Sequence, residues 1–262
     1  MGLGRLLGAA APVIVGVFFV AGWEALVRIG QIPVYILPGP ILIAQTLVAD
    51  WGTLWPSLVV TLKITFAALG VATVGGVALA LLFASSRWVE RALFPYAVIL
   101  QVTPLVAIAP LLLIYITDVN VALLVCAWIV AFFPVLSNTT LGLRSADPGL
   151  LELFRLYGAG PWSTLFLLRL PSALPYFLGG LRIAGGLALI GAVVAEFTAG
   201  TGGTASGLAF RILEAGYRLN IPRMFAALFL ISGAGIAIFA GLGLVSRLVL
   251  GRWHDSAIDR DA

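Results

Sequence analysis

A chain of 262 residues that is 61% hydrophobic and 10% charged, with mean hydropathy +1.12, has too few polar side chains to cover a water-exposed surface. Soluble domains carry roughly 45–50% apolar and about 25% charged residues. These proportions exclude a disordered chain and a soluble Rossmann-type enzyme, and they indicate an all-α, polytopic membrane protein. The net charge of +4 comes from scattered arginines, which suits cytoplasmic loops and not nucleic acid.

A helix needs about 20 mostly apolar residues to cross the hydrocarbon core. Six stretches meet this, at 9–29, 57–84, 92–116, 119–141, 172–198 and 224–250. The first also resembles a signal peptide, with Arg5 as its basic start. Its length, Pro12, and the Glu24 and Arg28 that follow favour a retained helix. Six spans put both termini on one side. With that side inside, the cytoplasm receives Arg5, Arg87, Arg91, Arg144, Arg155, Arg169, Arg247, Arg252 and Arg260. The other face receives Arg28, Arg211, Arg218 and Arg223. Nine against four gives cytoplasmic termini in a cytoplasmic (inner) membrane. The chain reads as one transmembrane domain over 1–262, with no internal repeat and a loose polar tail after Gly251.

The first outer segment carries Pro38-Gly39-Pro40, a rigid turn, before a short amphipathic stretch ending at Asp50. Glu24 and Arg28, four apart, are expected to pair, and Lys63 to snorkel outward. Span 92–116 holds Pro95, Pro104 and Pro110 with Gln101 and Thr103 between them. Prolines free carbonyls that protein or water must satisfy. The stretch therefore reads either as a kinked packing helix or as a cavity wall, with Gln101, Thr103 and Pro104 as path candidates. Asn138-Thr139-Thr140 forms a glycosylation sequon, but at the inner end of span four, where it is discounted.

Segment 147–158 sits in the inner loop 142–171. Asp147 suits an N-cap, Pro148 the first helical position and Gly158 a left-handed stop. Leu150, Leu153, Phe154 and Tyr157 share one helical face. Glu152 and Arg155 lie on another and can pair. So short a helix needs something to pack on. Lipid headgroups and a groove on a soluble partner satisfy the pattern equally.

Span 172–198 carries Gly180, Ala184, Ala188 and Ala192 four apart, with Glu196 continuing the stripe. Small residues at this spacing let helices approach closely. The stripe serves either packing within the chain or a dimer axis or pore. Arg182 lies mid-span, where a charge costs roughly 2.5–3.5 kcal/mol. It must face protein or water, as an anchor to nearby carbonyls or as a gate. Outer segment 199–223 opens with Gly200, Gly202, Gly203 and Gly207, a flexible turn.

Most chemistry is excluded by counts. Cys126 and His254 are single, so a disulfide, a Cys/His metal site or a nucleophile pair cannot be built in one chain. Lys63 has no glycine loop, so no phosphate-cradling motif is present. Any ATP must be bound elsewhere.

Glu152, Gly158, Leu168, Leu170 and Pro171 fit the pattern E-A-A-x3-G-x9-I-x-L-P, with Leu153-Phe154 in place of the alanines. This resembles the cytoplasmic signature of the permease subunits of binding-protein-dependent ABC importers. The match extends through Leu37-Pro38-Gly39-Pro40, Ser57-Leu58-x-x-Thr61-Leu62, Pro175-Tyr176, Gly180-Leu181-Arg182-Ile183-Ala184 and Ala195-Glu196, and is nearest the nitrate/sulfonate/taurine-type branch. Tyr115-Ile116-Thr117-Asp118 replaces the family's usual ending of span three.

The resemblance implies the type I importer permease fold. It implies that Asp147, Glu152, Arg155, Gly158, Leu170 and Pro171 belong to a coupling helix and its flank, seated in a cleft of a separate ATP-binding subunit. It also implies a homodimer or close heterodimer, an extracytoplasmic substrate-binding protein, and ATP and Mg bound only by the partner. Arg182 and Glu196 are path candidates, and nitrate, sulfonates and pyrimidine-type precursors are compatible solutes. An ion-coupled secondary transporter would show repeats and midplane carboxylates. An intramembrane enzyme would have only one His, one Cys and one Lys to work with, and a scaffold would have no ATPase companion.

Overall fold

The computed structural model describes residues 3–200 and 206–251, and the side chains from Ala10 onward. The elements are helices α1 (Leu3–Ile29), α2 (Pro40–Ala49), α3 (Trp51–Ser85), α4 (Arg87–Val102), α5 (Leu105–Tyr115), α6 (Val119–Arg144), α7 (Pro148–Leu156), α8 (Pro161–Thr164), a π turn (Leu165–Arg169), α9 (Leu170–Ala199), α10 (Leu208–Tyr217) and α11 (Ile221–Leu250). Among the described residues, five helical stretches are long and apolar enough to cross a membrane, or six when α4 and α5 count as one broken span. The expected turn at Gly202 and Gly203, and the tail with His254, lie outside the described residues.

α6 and α9 form the central pair, and α3 lies against both. Small residues set the spacing of the central pair. A Cβ at Gly191 would stand 2.8 Å from Ala127 Cα, one at Gly180 2.7 Å from the Pro134 carbonyl oxygen, and one at Gly142 2.8 Å from Ala173 Cα. Ala184, Ala188 and Ala192 are fully buried in the same seam. The stripe is therefore occupied by packing within the chain, the first of the two readings its spacing allows. Two apolar clusters flank the seam. Phe83, Leu136, Leu143 and Ala184 mark one nearer α7. Ile64, Cys126, Ala192 and Ala195 mark one nearer α10. A third, of Ile43, Leu54, Leu58, Leu208 and Ala226, joins α2, α3, α10 and α11.

The remaining apolar surface faces outward. Val13, Phe18 and Phe19 of α1, and Ile236 and Leu248 of α11, are exposed as lipid-facing residues should be. α1 is attached at its far end, where Trp23 lies 6.0 Å from Phe225 and 6.1 Å from Phe229 between ring centroids. Its Glu24 pairs with Arg28 at 2.6 Å and accepts from the Ile41 amide at 3.3 Å, at the start of α2. A Cβ at Gly39 would stand 2.6 Å from that carboxylate. Lys63 is exposed, as its expected outward reach requires.

Two expectations about spans change. The third span is not one helix, because α4 and α5 meet at 99°. Pro104 has no amide hydrogen and forces Thr103 out of the helical region, to φ −71° and ψ 125°. Thr103 Oγ1 caps the break by donating to the Ile99 carbonyl at 2.6 Å. The fifth span is longer than 172–198, since α8, the π turn and α9 run together from Pro161 to Ala199. Much of the expected loop 142–171 is therefore helix.

Gly191→Leu should overpack the α6–α9 seam and cost about 1–3 kcal/mol. Gly186→Ala, where an added Cβ meets nothing within 4 Å, should be neutral or stabilising through helix propensity. Thermal unfolding of the detergent-solubilised chain separates the two.

Candidate functional site

The predicted elements of segment 147–158 form a helix standing between two spans. Asp147 Oδ1 accepts from the amides of Gly149 at 2.7 Å and Leu150 at 3.0 Å, and Pro148 opens α7. Gly158 sits at φ +67°, and its amide and that of Ala159 close on the carbonyls of Arg155 and Phe154. Both helix ends are thus satisfied within nine residues. Leu150, Leu153, Leu156 and Tyr157 are exposed, the last two at 84% and 83%. Leu151 and Phe154 turn toward the body of the protein. The apolar face open to a partner therefore includes Leu156, which the periodicity did not assign to it, and excludes Phe154, which it did. Glu152 and Arg155 are both exposed and form no ion pair with any described residue, so the pairing their spacing allows is not made. Leu170 and Pro171 lie at the start of α9, following the π turn.

The other candidates are not gathered into one place. Arg182, on α9, lies with its guanidinium carbon 3.7 Å from the Phe239 ring centroid of α11. Gly243 leaves room for it, since a Cβ there would stand 3.1 Å from the Arg182 Nη2. The buried Arg182 Nε has no hydrogen-bond partner, so an aromatic face and not a carbonyl steadies this charge, correcting the carbonyl-anchor expectation. Gln101 and Pro104 are exposed at the α4–α5 elbow, with Thr103 half-buried.

Glu196 is 3% exposed and lies at the opposite end of α9 from α7. Its Oε2 accepts from the Ala209 amide at 3.1 Å and lies 3.1 Å from Thr61 Oγ1. Thr61 Oγ1 accepts in turn from the Leu208 amide at 2.9 Å, and its one proton is shared between the Glu196 carboxyl group and the Ser57 carbonyl at 3.2 Å. The carboxylate therefore caps α10, where an anion meets the unpaired amides and positive pole of a helix N-terminus. Gly207 must be glycine, because a Cβ would fall on the Glu196 carboxyl group. Nearby, Arg211 Nε donates to Ser57 Oγ at 3.0 Å, and Arg211 and Arg218 both bind Glu214. Asp50 and Arg223 make a two-pronged pair at 2.6 and 2.8 Å. The roles of Ser57, Thr61 and Gly207 were not assigned from sequence. The readable trace was Ser57, Thr61 and Thr65 recurring every fourth residue in an apolar helix.

The profile of the family described as "Binding-protein-dependent transport system inner membrane component" matches residues 72–259. The chain belongs to this family of ABC importer permeases. It is 34% identical over 226 residues to a Haemophilus influenzae protein named a probable ABC transporter permease protein, covering 86% of this chain and 90% of that one. It is 33% identical to the riboflavin transport system permease protein of Chloroflexus aurantiacus, covering 89% and 86% of the two chains. It is also 33% identical to the formylaminopyrimidine transport permease protein of Halalkalibacterium halodurans, covering 94% and 97%. A crystal structure titled as an amino acid ABC transporter with histidines shares the fold at TM-score 0.64. The match spans 78% of this chain and 97% of that one at 20% identity. This permease is thus a multi-pass, non-catalytic membrane subunit of an importer for small solutes. A binding-protein-dependent ABC system implies an ATPase and a binding protein as its companions.

Gly207→Ala should displace the Glu196 carboxylate and lower the melting temperature of the purified permease. A pH effect is expected on α10. The Arg211 guanidinium, with Arg218 beside it, holds the Glu214 carboxyl below the usual carboxylate range. That stabilisation is present above the unfolded value, about 4.3, and is lost as pH falls through the lower folded value. In melting curves across this acid range, Glu214→Gln should be less stable than the native chain at neutral pH and converge with it in acid.

Proposed function

We propose that α7 is the coupling element of this permease and faces the cytoplasm, so that both termini are cytoplasmic and the α10 end faces the binding protein in an inner-membrane importer. One observation carries the reading: a nine-residue helix capped at both ends holds Leu150, Leu153 and Leu156, with Tyr157 at its C-cap, in the open between two spans that are packed against each other. A groove on a separate ATP-binding subunit, which carries ATP and Mg, would cover that face. Movement of α7 then passes to α6 through residues 145–147 and to α9 through the π turn. Arg155, Glu152 and the Leu170-Pro171 flank supply polar and positional contacts around the apolar centre. Arg182, Glu196 and the elbow at Gln101–Pro104 remain the path candidates. Two permease copies, identical or closely related, would enclose the path.

For the solute we propose a small nitrogen-containing ring compound of the pyrimidine or flavin class. The riboflavin and formylaminopyrimidine permeases match at 33% over most of the chain, whereas relatives named for aliphatic sulfonate and nitrate import match at 29% and 28%. A purified binding protein encoded beside this permease should bind such rings in preference to sulfonates or nitrate.

Proline cannot adopt the left-handed conformation that Gly158 occupies. Gly158→Pro, and charge reversal by Glu152→Lys, should lower ATP-driven uptake in reconstituted vesicles at least about tenfold, the effect of about 1.4 kcal/mol of lost docking energy. Membrane insertion should be unchanged. Normal coupled uptake in both variants would refute the coupling role.

A further inference from the structure

On the α7 side of the membrane, the ends of α3 and α6 and the beginnings of α4 and α9 surround a cavity of about 730 Å³. Its polar lining is Arg87, Arg91, Arg144, Arg169 and Glu90. Glu90 is already engaged by Arg144. The side chains of Arg87, Arg91 and Arg169 make no hydrogen bond or ion pair with any described residue. The cavity is therefore lined by three positive side chains with no protein counter-charge of their own, two of them, Arg87 and Arg91, open to solvent. The rest of its wall is apolar, with Phe83, Phe94 and Leu143 prominent.

Local structure makes this arrangement favourable to an anion. Arg87 and Arg91 stand four apart on one helix face, where like charges repel. Both lie in the first turns of α4, where cations oppose the helix dipole and anions are favoured. Glu90 in the same turn offsets only part of this. Guanidinium groups match phosphate oxygens with paired, directed hydrogen bonds. The site also lies at membrane-surface depth. α3 ends at Ser85 and α6 at Arg144, and Trp88 and Tyr96 of α4 are 78% and 66% exposed beside the cavity. Exposed Trp and Tyr mark the headgroup level of a bilayer. A basic pocket between spanning helices, walled partly by aromatic and aliphatic groups, fits a phosphate attached to an acyl chain.

We propose that this cavity is a binding site for the phosphate of an anionic phospholipid headgroup, held by Arg87, Arg91 and Arg169. The glycerol and first acyl carbons lie against Phe83, Phe94 and Leu143. The site requires only that the α7 end lie at a membrane surface, and it stands whether or not α7 is the coupling helix. Because Leu151 of α7 also lines the cavity, the lipid would buttress the face of α7 turned away from any soluble partner.

The test uses the full-length permease, purified without an ATP-binding subunit and placed in micelles doped with phosphatidylglycerol or phosphatidylcholine. Retained lipid is counted by native mass spectrometry, with melting temperature as a second readout. The native chain should retain phosphatidylglycerol preferentially and be stabilised by it. Removing three interfacial charges, each worth about fivefold in affinity, should make the R87Q/R91Q/R169Q variant bind it on the order of a hundredfold more weakly. The R87K/R91K/R169K variant keeps the charges and should retain part of the affinity, which separates loss of the site from loss of the fold. Arg218→Gln, at the opposite end of the molecule, should leave phosphatidylglycerol retention unchanged.

Equal phosphatidylglycerol retention by the native chain and the R87Q/R91Q/R169Q variant overturns the proposal. So does stabilisation by inorganic phosphate alone equal to that by the lipid, which would make the cavity a site for free phosphate. Absence of any preference for anionic over zwitterionic lipid overturns it too. The arginines would then await acidic side chains of a protein partner.

Discussion

Close approach of α6 and α9 is the constraint on which the other parts depend. Lipid tails are as apolar as leucine, so a bilayer gives two helices little hydrophobic reason to associate, and dense packing must supply it. Here Gly180 and Gly191 meet α6 backbone, and Ala184, Ala188 and Ala192 fill the space between. The pair then becomes a rigid rod with functional attachments at either end. α7 bridges its two members at one end, and Glu196 reaches across to α3 and α10 at the other.

The positions of the spans were legible because their signal is composition over twenty residues, which neighbouring structure cannot overrule. The ends of α7 were legible for a similar reason: Asp147, Pro148 and Gly158 each act on backbone within a few residues. Sequence was least informative where two outcomes share one pattern. Small residues four apart look the same whether they meet another span of the same chain or a second chain, and only the placement of α6 decided. Glu152 and Arg155 had pairing geometry but no burial to make pairing worthwhile, and an exposed pair gains little over water. Three prolines predicted interruption between Pro95 and Pro110. The choice of Pro104 as the break turned on the backbone of Thr103.

Polar groups within the membrane follow one rule with different partners. One oxygen of Glu196, Oε2, is held by the Ala209 amide at the start of α10 and by the Thr61 hydroxyl on α3, while Oε1 has no hydrogen-bond partner among the described residues. Arg182 finds an aromatic ring. Neither partner was readable, because each belongs to an element distant in sequence, and α10 itself was expected to be part of a loop. The family match explains why a chain without catalytic side chains carries so many placed polar ones: its work is conformational, and such groups fix which helices move together.

The burial of Glu196 has a mechanical corollary. α10 hangs from two spans at once, through Leu208 to Thr61 on α3 and through Ala209 to Glu196 on α9. It cannot swing as an independent flap over the mouth of the molecule. Any shear between those two spans must either drag this crosspiece along or tear a buried carboxyl group from its donors. The crosspiece therefore behaves as a latch with a threshold, ignoring small tremors of the helices and yielding only to a concerted displacement.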